Sequence, residues 1–152
     1  MPKFVGRRDF DFINRINKEL IQDVIDVTVT LCKIIVEQTK TNLYGEAVDK
    51  IRYNGIEIHA LISYGEITTT EESRAGPDVK QEVEFRFVRK ILEDQNVYPE
   101  TGDIINYNGN YYDIFNVNEQ QLIASREDYN MSVICKTYIT RRSGLNIEAR
   151  QV

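Results

Sequence analysis

Two hydrophobic periods divide the chain. Between Asp9 and Ile25, Phe12, Ile13, Ile16, Leu20, Ile21, Val24 and Ile25 recur at three- and four-residue intervals, which is one apolar face of a helix. Asn14, Arg15, Lys18, Glu19 and Gln22 fill much of the remainder, and Asp9 or Asp11 is placed to cap the first turn. Such a face predicts a helix that packs on its own domain or against a neighbouring subunit. From Val27 the pattern shortens. Val27 to Glu37 is rich in β-branched residues with apolar positions on both faces, as a central strand requires.

Alternation with a period of two follows. Ile56, Ile58, Ala60 and Ile62 oppose Glu57, His59 and Ser63, and Val83, Phe85 and Phe87 oppose Glu82, Glu84 and Arg86, which predicts half-buried strands. Asn54-Gly55 and Asn108-Gly109 each suit a two-residue type I′ turn, because both central residues need positive φ. The first predicts a hairpin between Lys50–Tyr53 and Ile56–Ser63. The second joins two aromatic-rich strands launched by a turn at Gly102-Asp103. Asn42 to Glu46 reads as an ordered turn, Arg89 to Gln95 as a short helical turn, and Met131 to Arg142 as the last strand.

Tyr64 to Lys80 predicts a long hairpin loop or an extended β-arm, since loops longer than about 12–15 residues are uncommon unless functional or disordered. Its charged residues Glu66, Glu71, Glu72, Arg74 and Asp78 are candidates for contact between subunits or with a channel. Six acidic residues and two basic ones fall between Tyr64 and Glu84. The expected layout is thus one mainly-β domain over residues 1–152: a loose basic arm (1–8), a helix (9–25), a small β-barrel or sandwich (27–142) and a tail (143–152).

Composition narrows the function. Nineteen Lys and Arg against 24 Asp and Glu leave a net charge of −5, which argues against a general nucleic-acid binder, whose affinity comes from neutralised phosphates. Cys32 and Cys135 sit in strand-like runs and read as buried free thiols. Residues 1–30 lack a basic region followed by an uninterrupted apolar stretch, so no signal peptide is expected, and no apolar run approaches the roughly 18–20 residues of a membrane span. His59 is the only histidine and has no cysteine or second histidine nearby for a metal. Glu71 and Glu72 are adjacent and diverge in an extended chain, a poor acid–base pair. No glycine-rich phosphate loop precedes a helix. No catalytic residue, cofactor or metal site is expected. Tyr107, Tyr111 and Tyr112 could offer a stacking platform, but no Lys or Arg lies between Gly102 and Gln121, so core packing or a subunit interface is the better reading. Tyr107, Asn108, Tyr111 and Tyr112, with Arg141 and Arg142 from the basic end, are the interface candidates.

The leading helix followed by the hairpin Gly102-Asp103-Ile-Ile-x-Tyr-Asn-Gly-x-Tyr-Tyr-x-Ile114 resembles the neck proteins of tailed bacteriophages, of the head-closure or head-completion type. Asn42-Leu-Tyr-Gly-Glu46, and Phe85-Arg-Phe87 after the acidic span, add to the resemblance. It implies a β-barrel subunit without catalytic activity, assembled in six or twelve copies. The ring would lie below the portal and its adaptor, above the tail-end proteins, around double-stranded DNA read without sequence specificity. It also implies a place in the virion after assembly in the host cytoplasm, with no membrane. A heterologous ring needs two unlike complementary surfaces, which the arm and the termini can supply. Two other readings stay open: a tail-completion or terminator ring, and a small barrel binding a ligand or single-stranded nucleic acid.

Overall fold

The computed structural model describes residues 6–34, 40–41, 44, 47–49, 51–53, 55–70, 78–119, 130–140 and 146–148. Helix α1 (Arg7–Glu19) continues without a break into one π-helical stretch, Leu20–Ile25, that ends at Asp26 in the left-handed region (φ 49°). The helix begins two residues before the expected Asp9, so Arg7 and Arg8 are helical rather than part of a loose arm. Asp9 does not take the N-cap position. It sits in the first turn and its Oδ2 accepts from the Gly6 N–H at 3.1 Å, tying off the chain entry from inside the helix.

Seven strands form one antiparallel sheet: β1 (Thr28–Cys32), β5 (Ile56–His59), β6 (Leu61–Thr70), β7 (Asp78–Val88), β8 (Ile104–Tyr107), β9 (Asn110–Asn118) and β10 (Ser132–Thr140). Their order is β5-β1-β8-β9-β10-β7-β6. Helix α2 (Arg89–Gln95) follows β7 directly. Two small ladders lie apart from this sheet. β2 (Lys40–Thr41) pairs with β3 (Ala47–Asp49), and β4 (Ile51–Tyr53) pairs in parallel with β11 (Asn146–Glu148).

The protein is therefore mainly β with an N-terminal helix. No ladder joins the edge strands β5 and β6, so hydrogen bonding does not close the sheet into a barrel. Those two edges are nevertheless consecutive in the chain, separated only by Ala60, whose N–H donates to the Val27 carbonyl at 3.0 Å. One bent strand thus serves both margins, and the sheet curls over itself in a sandwich-like way. Ring contacts show the curl. β7 and β8 are three strand spacings apart, roughly 14 Å in a flat sheet. The rings of Phe85 and Tyr107 are 6.5 Å apart, and Tyr112 meets Phe85 edge-on at 5.2 Å.

The inward side chains make one core of Val29, Leu31, Ile58, Val83, Phe85, Phe87, Ile105, Ile114, Val133 and Cys135, to which α2 adds Ile91 and Leu92. Thr137, also inside, satisfies its hydroxyl on the Val83 carbonyl at 2.8 Å. Both cysteines are buried and neither is in a disulfide, as their strand setting predicts.

The hairpin at Asn108-Gly109 forms as expected, with φ of 51° and 80° and Tyr107 paired to Asn110. The hairpin expected at Asn54-Gly55 does not. β4 leaves for β11, and β5 pairs with β1 instead. Gly55 serves close approach: a Cβ there would lie 2.2 Å from Thr30 Cγ2 and 2.7 Å from the Leu31 carbonyl oxygen. The C-terminal tail, expected to lack regular structure, supplies β11. Of the two alternatives for Tyr64–Lys80, the described part is the β-arm: β6 and β7 stay paired out to Thr70 and Asp78. The Asn42–Glu46 turn lies outside the described residues apart from Tyr44, which is itself in a turn.

Candidate assembly surfaces

Helix α1 meets its own domain along one side only. Ile21 is buried, Ile13 and Asn17 are half-buried, and Lys18 forms an ion pair with Asp94 of α2 at 2.6 Å that holds the Asp94 carboxyl below its ordinary range. The expected apolar face is thereby split. Phe12, Ile16, Leu20 and Val24, four residues apart, form a ridge turned away from the core, with exposures of 59, 45, 44 and 73%. Between α1 and α2 lies an open groove of about 720 Å³ lined by Arg7, Arg15, Lys18, Arg89 and Lys90 against Asp11 and Glu93. Lys18 and Lys90 share Asp94, and Arg89 pairs with Glu93 and Glu119, so much of that positive charge is answered locally.

A second apolar surface sits at the far end of β7. The helix packs near Phe87, Val88 and Ser132. The last pair between β10 and β7 is Tyr138 with Glu82, beyond which β6 and β7 continue alone as an arm. At the root of that arm Tyr64 and Ile67 are exposed by 58 and 61%, on either side of a bulge that includes Glu66. Ile139, opposite Tyr112, is also exposed. On the outer face a bulge in β9 turns Phe115 outward onto Tyr138, and the two rings stack at 4.4 Å with 13° between planes.

The candidate residues named from the sequence fall in different places. Glu66 is exposed on the arm. Asp78 begins β7, while Glu71, Glu72, Arg74, Arg141 and Arg142 lie outside the described residues. Asn108 is exposed in its turn. Tyr107 is half-buried beside Phe85. Tyr111 pairs across to Thr140 on the outer face. Tyr112 belongs to the core of its own subunit: burial raises its hydroxyl pKa, helped by the neighbouring Tyr64 and Tyr107. The ridge residues were legible as an apolar face. The Phe115–Tyr138 stack was not, because it depends on a bulge that periodicity does not reveal.

Chemically reactive groups are scattered. His59 Nδ1 lies 3.5 Å from Asp26, at the end of the π-helical stretch. Asp103 is buried and occupied: Oδ1 accepts from Ile34 N–H at 3.1 Å, Oδ2 from Glu100 N–H at 2.9 Å, and Lys33 Nζ stands 3.3 Å away. Tyr98 donates its hydroxyl to Glu119. Burial pushes the Cys135 thiol up to about 12, with the Asp103 charge adding to the effect. Among the described residues no group of three or more His, Cys, Asp or Glu is arranged to hold a metal ion, and no helix is long and apolar enough to cross a membrane.

These features define a mainly-β protein whose distinctive surface property is apolar contact area at both ends of one long strand. No protein-family model matches the chain, and no curated protein matches it. Among solved structures, a chain titled as the virion of a native gene transfer agent (GTA) particle is similar over 74% of this chain and 93% of that chain, at 10% identity and a TM-score of 0.48. A likeness that distant decides neither fold nor role.

Proposed function

We propose that this protein is a structural subunit of a virion, and specifically a ring component of a tailed-phage neck that closes the DNA-filled head and docks the tail. One observation carries the assembly part of this reading: two unlike apolar surfaces stand at opposite ends of β7. The helix ridge lies near Phe87 and Val88, and Tyr64 and Ile67 lie near Gln81, roughly 24 Å along the strand. Unlike surfaces at opposite ends are what a head-to-tail contact needs, and a head-to-tail contact that closes generates a ring. Contiguous exposed apolar area of this kind marks sites of association. The neck assignment itself comes from the resemblance of the Gly102–Ile114 hairpin and the leading helix.

In this reading the β6–β7 arm, with Glu66, Glu71, Glu72, Arg74 and Asp78, reaches a neighbour or borders the channel. An acidic surface there limits sticking to the DNA that passes. Tyr107, Asn108 and Tyr111, and the basic pair Arg141 and Arg142, contribute at the rim, where charge sets register and encounter rate more than affinity. Cross-linking mass spectrometry on intact particles tests the proposal. Self-links incompatible with one copy, together with links to portal, adaptor or tail-end proteins, are expected. Absence of the chain from purified particles would overturn it and bring the ligand-binding reading forward.

A further inference from the structure

The chain carries two Asn-Gly dipeptides, Asn54-Gly55 and Asn108-Gly109, and the fold gives their glycines opposite surroundings. Gly55 is half-buried against β1, where a Cβ would lie 2.2 Å from Thr30 Cγ2. Asn54 itself lies outside the described residues. Gly109 stands in the open: beyond its chain neighbours, no atom lies within 4 Å of the place its Cβ would take. Asn108, Gly109 and Asn110 are all exposed. Neither the Asn108 side chain nor the Gly109 N–H has a hydrogen-bond partner among the described residues. Both central residues keep positive φ, 51° and 80°, in a turn closed by the Tyr107–Asn110 pair.

An asparagine followed by glycine holds an electrophile and a nucleophile in one dipeptide. Once the Gly109 N–H gives its proton to solvent, the nitrogen can attack Cγ of the Asn108 side chain. The N–Cγ bond forms, the Cγ–Nδ2 bond breaks, and Nδ2 leaves as ammonia with a proton from water. A five-membered cyclic imide remains, and water opens it at either carbonyl. Addition at Cγ gives aspartate. Addition at the main-chain carbonyl gives isoaspartate, in which the chain runs through Cγ. Overall one water is consumed and one ammonia released, with no change of oxidation state. Attack requires Asn108 to leave its turn conformation, and a tip with no packing or side-chain bond to break opens at small free-energy cost. The packing of Gly55 on β1 raises that cost for the other dipeptide.

We propose that Asn108 is a modification site: an asparagine at the tip of the β8–β9 hairpin that deamidates spontaneously, with water as its co-reactant. The reaction replaces a neutral amide with a carboxylate at an exposed tip. The two products differ in what they do to the fold. Aspartate tolerates the left-handed region much as asparagine does and keeps the turn. Isoaspartate adds a main-chain carbon, so a two-residue loop no longer matches the strands it joins, and their register depends on that loop. The disturbance reaches Tyr107, whose ring meets that of Phe85 edge-on at 6.5 Å. The site belongs to the free chain and does not depend on the neck reading.

Peptide mapping of the full chain by mass spectrometry with electron-transfer fragmentation, during incubation in mildly alkaline buffer, tests this. In denaturant Asn54 and Asn108 should lose their amides at similar rates, since both precede glycine. In the folded chain Asn108 should stay within about tenfold of its denatured rate, while Asn54 falls at least about tenfold below Asn108. Both aspartate and isoaspartate should appear at position 108, and the rate should rise with pH because attack needs the deprotonated nitrogen. Chain aged to isoaspartate should melt below the Asn108→Asp variant, which carries the same charge without the extra carbon. An amide at position 108 that survives in the folded chain while it is lost in denaturant would overturn the inference. So would faster loss at Asn54 than at Asn108 in the folded chain. Aspartate formed without isoaspartate would also overturn it, since the cyclic imide yields both.

Discussion

Asp103 shows how much one side chain can hold in this fold. Its carboxylate is almost fully buried and ties β8 to Ile34 after β1 and to Glu100 before the turn, with Lys33 as counter-charge. Asp103→Ala leaves two buried backbone donors without their acceptor, while Lys33 keeps the Tyr98 carbonyl and Glu100, and should cost about 3 kcal/mol in denaturant unfolding. Cys135 makes a different residue-scale prediction. Its thiol is held neutral to about pH 12 in the folded state and has an ordinary value of 9.0. Above pH 9 the unfolded chain releases this proton while the folded chain keeps it. The folded state then binds more protons, so this residue's contribution to stability is full below pH 9 and falls as pH rises toward 12, by up to about 1.4 kcal/mol per unit. Comparing alkaline unfolding of the native chain with that of Cys135→Ala reads the difference. In the same terms, thiol reagents at pH 8 should modify Cys135 only as fast as the protein opens.

Among the elements, the helix is the most informative. Seven apolar residues marked its face, but only Ile21 is buried against the domain. Ile21→Ala should cost about 2–4 kcal/mol, as core truncations do, while Phe12→Ser should change monomer stability by less than about 0.5 kcal/mol. Thermal melts of the two variants separate the two. The helix was legible in sequence because a three-to-four period is a property of one segment. Which half of its stripe faces the core depends on where β7 and α2 lie, and no local pattern carries that. The strands divide the same way. Val83, Phe85 and Phe87 announced their inward face, and Asn108-Gly109 announced its turn. Asn54-Gly55 misled because the same dipeptide suits a turn and a close approach, and the backbone of β1 occupies the space a Gly55 side chain would need. The pairing of β11 with β4 joins residues almost a hundred positions apart, beyond the reach of turn signals.

At the scale of the whole molecule, a curled sheet with one continuous core does the structural work, and most of the exposed apolar side chains among the described residues lie toward its two ends. That division explains why contact surfaces were only half visible in the sequence. The aromatic hairpin suggested assembly. Yet Tyr112 from that hairpin closes the core, while Phe115 (stacked on the half-buried Tyr138), Tyr64 and the helix ridge take the exposed positions. A net charge of −5 suits a subunit that surrounds nucleic acid without holding it. The most direct measurement of the central claim is a cryo-electron-microscopy reconstruction of the head–tail junction in particles that contain this chain. The account predicts a ring of copies below the portal, each a curled seven-stranded sheet, with the α1 ridge and the β6–β7 arm at subunit contacts. Density for the chain in the capsid shell or tail tube, or a junction ring built without it, would contradict the account.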